Sequence, residues 1–394
     1  MRRVALVLAL PLLFNAAVTA QSPNRDPKLW ERAVRVHREA IVVDTHSDTT
    51  SRMLDEGFDV GPLAPDGHMD LPRMKEGGLD AQFFSIYVDT DYMTTGGSAR
   101  RALDMIDALY RQVARHHDRM EMAYTVDDVR RITRQGKVAA LMGIGGGHTI
   151  EDSLGALRMF HRLGVRYMTL THTRTTNWAD SSGSFSNPSG DAPRWGGLND
   201  LGRQVVAEMN RLGMMVDISH VSDETFYDVV AVTKAPVIAS HSNARALAAH
   251  PRNMTDDMLR AVARNRGVVM VNFYETFLDQ RHVDQLLALR PEREAIRARH
   301  KDDAAARARA LEAFDAAHPL PRTPFKAVVD HIDHVAKVAG VDHVGLGSDF
   351  DGGISLPEGI RDVRDLPEIT YALMERGYSD EDVRKILGGN ILRV

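Results

Sequence analysis

"MMVDISHVSDETFYDVVAVTKAPVIASHS", residues 214–242, holds two short apolar runs, Met215–Ser219 and Val237–Ser240, each followed at once by a histidine, His220 and His241. Both runs are too short for helices and rich in Val, Ile and Met, and helical spacing fills the gap between them. That is a βα unit handing the chain to a parallel neighbour. Working outward, similar runs recur at Ile41–Asp44, Gln82–Val88, Val138–Ile144 and Tyr167–Thr171 on one side and at Val268–Phe273 and Val344–Gly347 on the other, which makes eight. The helices between them carry end signals. Asp152 or Ser153 opens one that stops at Gly164, Asp200 one that stops at Gly213, and Thr255 with Asp256 and Asp257 one that stops at Gly267; such residues satisfy the unpaired backbone groups of helix termini. Eight strands alternating with helices predict an α/β fold, a (β/α)8 TIM-type barrel, with a doubly wound open sheet as the alternative.

One segment breaks the rhythm. After the seventh strand, residues 275–322 are long, charged and alanine-rich, which reads as a helical insertion in a βα loop. Its two readings are a solvated hairpin and a cover over the barrel mouth, because βα loops lie on the catalytic face.

At the other end, Arg2 and Arg3 precede an apolar run from Val4 to Phe14 and a small-residue site at Val18-Thr19-Ala20. Residues 1–20 therefore read as a secretory signal peptide, leaving 21–394 as one barrel secreted across the inner membrane to the periplasm. No later run approaches the roughly 20 apolar residues of a transmembrane helix. The chain contains no cysteine, so neither disulfides nor a lipid-modified cysteine can hold it, and any homodimer would lack a disulfide. A net charge of −5 with both signs interspersed argues against a nucleic-acid surface.

Histidine is the compositional oddity, at 17 residues, and its placement carries the chemistry. A barrel turns the C-terminal ends of its strands into one cavity. Those ends read "VDTHSD", "TLTH", "DISH", "ASHS" and "GSDFDGG". His46 and Asp48, two residues apart, project to one side of an extended chain, and His220 and His241 end neighbouring strands. Imidazole and carboxylate without thiolate suit zinc, with manganese, cobalt or iron as alternatives. Two close ions would polarise a carbonyl and supply a nucleophilic hydroxide near neutral pH, which is hydrolase chemistry. Asp349 is placed to move a proton; His172 reads as a third-site ligand or an oxyanion donor. Arg252 could clamp a carboxylate, although by itself it reads as a surface arginine. Asp351 reads as a turn residue and Trp178 as loop packing.

The stretches "VVDTHSD", "GGHTIEDSLGALRMFHRLGVRYMTLTHTRTTNWAD", "LNDLGRQVVAEMNRLGMMVDISHVS", "APVIASHS", "RNMTDDMLRAV", "VVMVNFY" and "VGLGSDFDG" together resemble the membrane (renal) dipeptidase family of zinc peptidases, among the amidohydrolase-type barrels. The resemblance runs from about residue 40 to the C-terminus. It implies a zinc-dependent dipeptidase with two ions. His46 and Asp48 would bind one zinc and His220 and His241 the other; His172 would lie on the substrate side, Arg252 would partner the substrate's terminal carboxylate, and Asp349 would be the acid–base carboxylate. The substrate would be a small dipeptide.

"LMGIGGGHTI", residues 141–150, departs from the family pattern Gly-x-Glu-Gly-Gly-His. Gly145 stands where the metal-bridging glutamate is expected. Gly146 and Gly147 are expected to serve a tight bend at positive φ. With no carboxylate at 145, each ion keeps two protein ligands, below the three usual at a catalytic zinc, and Glu151 and Asp152 fall at the start of the next helix. Impaired activity is the expectation. Two further readings stand beside it, a metal-depleted binding protein on the same fold and a one-metal amidohydrolase. The family also leads one to expect part of another helix beyond "KILGGNILRV".

Overall fold

A strand with no polar residue on either face must be covered on both, and Val138–Ile144 is buried throughout. The computed structural model describes residues 25–183 and 193–394. Within it the strands are β1 (Val43–Ser47), β2 (Ala81–Ile86), β3 (Met120–Met122), β4 (Val138–Ile144), β5 (Val165–Thr169), β6 (Met215–Asp217), β7 (Ile238–Ala239), β8 (Val268–Val271) and β9 (Val344–Leu346). Eight close a parallel ring in the order β1-β2-β4-β5-β6-β7-β8-β9, with β9 returning to β1. The fold is the expected TIM-type barrel, not an open sheet.

The ninth strand is the addition. One edge of β4 pairs with β2 from Ala139 to Ile144, and its other edge is shared, Val138–Ala140 going to β3 and Met142–Ile144 to β5. A three-residue run with Glu121 at its centre offers no periodic signal.

Alternation along the ring sorts the core. Val43, Phe83, Leu141, Tyr167, Ile238, Val268 and Met270 form one buried cluster, while Phe84, Met142, Met168, Ala239 and Val269, next to them in sequence, belong to the other, which includes the helices. The first set fills the barrel and the second seats the outer helices. Ser153 and Thr255 cap two of those helices as expected; the helix Asp200–Leu212 begins at Asp200 but takes its cap from Asn199, which the sequence reading did not name, and Gly213 closes it in the left-handed region.

Strands β6 and β7 stop earlier than the apolar runs suggest. The Asp217 carboxylate takes the N–H groups of Ser219 (3.0 Å) and Ser240 (2.8 Å), which removes them from the ladder. The segment after β8 forms Glu275–Leu278, Gln280–Arg299 and Ala304–Ala317, held by an Arg293–Asp315 ion pair and by Gln285 on the carbonyls of His318 and Pro319. The expected signal peptide, residues 1–20, lies outside the described residues. Among the described residues no helix is long and apolar enough to cross a membrane.

Candidate active site

His46 leaves β1 and His241 follows β7, and their rings stack with centroids 3.8 Å apart; His172 and His220, beyond β5 and β6, stack at 4.1 Å. The barrel thus brings all four strand-end histidines of the sequence reading into one cluster. Asp48 and Asp349 approach from β1 and β9, with His46 Nε2 at 3.5 Å from Asp48 Oδ2 and 3.8 Å from Asp349 Oδ1. Two residues that begin the loops, His220 (φ 67°) and Asp349 (φ 66°), adopt the left-handed region. Non-glycine residues pay for that conformation and concentrate where a side chain must be aimed.

The hydrogen-bond network assigns the ring tautomers. Tyr167 donates its hydroxyl to the Thr45 carbonyl (3.0 Å), so its oxygen accepts from His46 Nδ1 (3.0 Å), and Nε2 of a neutral His46 is left bare. Likewise Ser240 donates to Asp217 Oδ2 (2.6 Å) and accepts from His241 Nδ1 (2.7 Å), leaving His241 Nε2 bare. That nitrogen lies 2.9 Å from His220 Nε2, which therefore donates to it. Imidazoles oriented through the far nitrogen, with the near one bare, are what metal ligation requires.

Sequence reasoning missed the groups that do this orienting. Asp217 and Asp44 are fully buried; Asp44 accepts from the Ser348 N–H and hydroxyl (2.8 and 2.6 Å) as Asp217 does from Ser240. The available signal was an aspartate inside an apolar strand, since a buried carboxylate survives only with donors. Burial pushes Asp44 up to about 6 despite the Ser348 bonds.

Electrostatics divide the histidines. Burial and the Arg252 charge depress His172 to about 3 and hold His220 well below the ordinary imidazole value. His241 is likewise driven down, by burial and then by His46 and Arg252. His46 goes the other way, to about 9, because the Asp48 carboxylate, reinforced by Asp349, outweighs its burial. Asp48 is held below the usual carboxylate range: burial raises it, and His46 more than reverses this. Burial raises Asp349 above that range, the His46 charge offsetting it in part.

Arg252 is buried, at 4% exposure, and not the surface arginine that its sequence context suggested. One Nη donates to the His241 carbonyl (3.0 Å), and Nε has no partner among the described residues. Asn272, at the end of β8, donates to Asp349 Oδ2 (2.8 Å) and was not anticipated. The four histidines, Asp48, Asp349 and Arg252 line a cavity of about 670 Å³ with Tyr87, Tyr274 and Phe277. Leu286, Leu289, Arg293, Leu320 and Arg322 line it too, so the insertion borders the cavity besides presenting an exposed face. Asp351 lies outside the cavity lining and serves its turn, accepting from Thr49 Oγ1 (2.6 Å) and the His68 N–H (2.7 Å). Trp178 is fully buried loop packing.

The glycine run corrects one expectation. Neither Gly146, extended at φ 170°, nor Gly147 lies in the left-handed region; Glu151 (φ 48°) and Asp152 (φ 58°) do. Close approach is the reason instead. A Cβ on Gly147 would come 2.4 Å from the Leu170 carbonyl oxygen and 2.5 Å from the Trp178 ring, and one on Gly143 would enter the Tyr167 ring at 1.9 Å. Gly145 has neither excuse: its φ is not left-handed, and a Cβ would meet only Ser85 Oγ at 3.1 Å and Tyr87 at 3.4 Å. Glu151 accepts from the Ala99 N–H and Asp152 from Asn177, so neither acid replaces a side chain at 145.

Residues 30–394 match the family described as membrane dipeptidase, peptidase family M19. The chain belongs to the membrane dipeptidase family. It is 40% identical to dipeptidase tcpJ of Claviceps purpurea over 335 residues, 83% of this chain and 68% of that one. The probable dipeptidase PvdM from Pseudomonas aeruginosa superposes with a TM-score of 0.84 at 27% identity, covering 94% of this chain and 98% of its own. A metallopeptidase from Rhodobacter sphaeroides, solved with a phosphinate mimic of L-Ala-D-Ala, gives 0.72 at 29% identity, with 90% and 98% covered. Membership in this metallopeptidase family implies a metal. The donor set of this dipeptidase-family chain fits one: imidazole nitrogens turned into the cavity by hydrogen bonds on their far side, and a buried Asp48 Oδ1 without a hydrogen-bond partner among the described residues.

Proposed function

We propose that this chain is a zinc-dependent dipeptidase that hydrolyses the peptide bond of dipeptides with a free C-terminal carboxylate, at a rate lowered by Gly145. The observation that carries the reading is the meeting, in one cavity, of imidazole and carboxylate donors with a buried arginine. His46 and Asp48 would hold the metal, with Asp349 beside them; His220 and His241, the other pair that the family resemblance assigns to metal, line the same cavity. When bound, zinc polarises the scissile carbonyl and makes water more acidic.

The remaining steps belong to side chains. Arg252, lowered by burial to about 10 and still cationic at neutral pH, holds the substrate carboxylate; a desolvated guanidinium binds that group strongly. His172, neutral by burial, gives an N–H to the oxygen on which charge develops. Asp349, raised by burial and steadied by Asn272, takes the proton of the attacking water and passes it to the leaving amine. Export to the periplasm belongs to the same proposal and rests on residues 1–20 alone; fractionation of cells producing the full chain tests it.

The activity is tested with a panel of L,L and L,D dipeptides, and their C-terminal amides, with added zinc and after chelation. Turnover should require metal and a free carboxylate, and Gly145→Glu should be faster than the parent chain. No hydrolysis by either zinc-loaded form sinks the reading in favour of a binding protein.

A further inference from the structure

Among the described residues, one group of His, Asp and Glu side chains brings three donor atoms within 4.8 Å of one another: His46, Asp48 and Asp349. His220 and His241 belong to no such group. Their Nε2 atoms face each other at 2.9 Å and satisfy one another, and Asp217 is already spent on Ser219, Ser240 and Thr169. A side chain at 145 would start beside Ser85, whose buried hydroxyl has no hydrogen-bond partner among the described residues, and Ser85 is near enough to Asp48 to help keep it ionised.

We propose that this chain holds a single tightly bound ion on His46, Asp48 and Asp349, and that His220 and His241 form a hydrogen-bonded pair and not a second tight site. The inference rests on the metallopeptidase reading and specifies its centre. A catalytic zinc commonly has three protein ligands. His46 supplies Nε2, turned toward both carboxylates because Tyr167 engages Nδ1 and giving up its proton to the ion; Asp48 supplies a carboxylate with an unpartnered oxygen; Asp349 supplies Oδ1, because Asn272 engages Oδ2. Asp349 is then a ligand as well as a proton carrier, where the sequence suggested the second role alone. The other pair has two donors and would have to give up its mutual hydrogen bond to bind.

The test is stoichiometric and independent of turnover. Metal-stripped full-length protein is titrated with zinc by calorimetry, and the metal retained after gel filtration is measured by elemental analysis. The parent chain should keep about one equivalent and Gly145→Glu about two, while Asp349→Asn, checked for folding by circular dichroism, should lose the tight ion. His220→Asn should retain it. Two tight equivalents in the parent chain, none at all, a folded Asp349→Asn that keeps its ion, or a folded His220→Asn that loses it overturns the proposal. One tight ion without peptide hydrolysis in either the parent or Gly145→Glu would defeat the dipeptidase reading and leave the one-ion assignment standing; hydrolysis with two ions would do the reverse.

Discussion

Tyr167 shows how much of a metal centre can depend on a residue that never touches the ion. Its ring lies on Gly143 and its hydroxyl sets the His46 tautomer through Thr45. Tyr167→Phe keeps the ring and removes the oxygen, so the fold should persist while zinc affinity falls by about 10- to 100-fold, the usual effect of removing such a partner; competition with a chromophoric chelator reads this directly, and unchanged affinity would refute the role. Arg252→Met removes a buried cation. We expect KM for dipeptides to rise by roughly two orders of magnitude, in line with about 2–3 kcal/mol for a charged hydrogen-bonded contact, with little change for C-terminal amides. Equal losses on both substrate classes would mean that Arg252 props up His241 and does not bind carboxylate. At this scale the sequence was informative about ligands and silent about their supports. Histidines and aspartates at strand ends can be read from spacing, whereas Tyr167 and Asn272 act across the barrel from other strands.

The insertion is the element most open to experiment. Gln280–Arg299 and Ala304–Ala317 carry little core, yet Leu286 and Leu289 border the cavity. Leu289→Asp should leave thermal stability close to the parent and raise KM for dipeptides with bulky apolar side chains about tenfold relative to alanyl substrates, the scale of losing an apolar contact worth 1–3 kcal/mol. A uniform change across the panel would place Leu289 outside the substrate's reach. Alanine-rich composition identified these helices, but composition does not say which face a hairpin turns toward the barrel. The strands tell a similar story: Val237–Ser240 is legible as a strand, and its early end at Ala239 follows from the Asp217 carboxylate, a partner 23 residues away for Ser240.

For the molecule as a whole, buried histidines set the acid limit. His37 bonds to Thr370 and to the Gly77 carbonyl, and His331 accepts from the Ala244 N–H while Nε2 faces the Leu278 carbonyl. Burial lowers each to about 4. An unfolded histidine takes its proton near 6.5, so between 6.5 and 4 the unfolded state binds more protons and stability falls as pH falls. The loss is complete once pH passes below the folded value, at about 3 kcal/mol per residue as an upper order of magnitude. Denaturant midpoints measured from pH 7 to pH 4 should fall accordingly, and His331→Gln should flatten the slope; a midpoint independent of pH across that window would contradict the assignment.

The repeating alternation of apolar runs and capped helices determined the barrel, because backbone hydrogen bonding and burial make each βα unit a local decision. The same local record put His46, Asp48, His172, His220, His241 and Asp349 at strand ends, and showed that position 145 carries no carboxylate. What only the tertiary structure decided is which of these groups meet. Closing eight strands into a ring sets Asp349 beside His46 across some three hundred residues, buries Arg252 against His241, and turns the insertion toward the cavity. Those distances depend on strand stagger and loop course, which arise from the packing of the whole ring and leave no periodic trace in the chain.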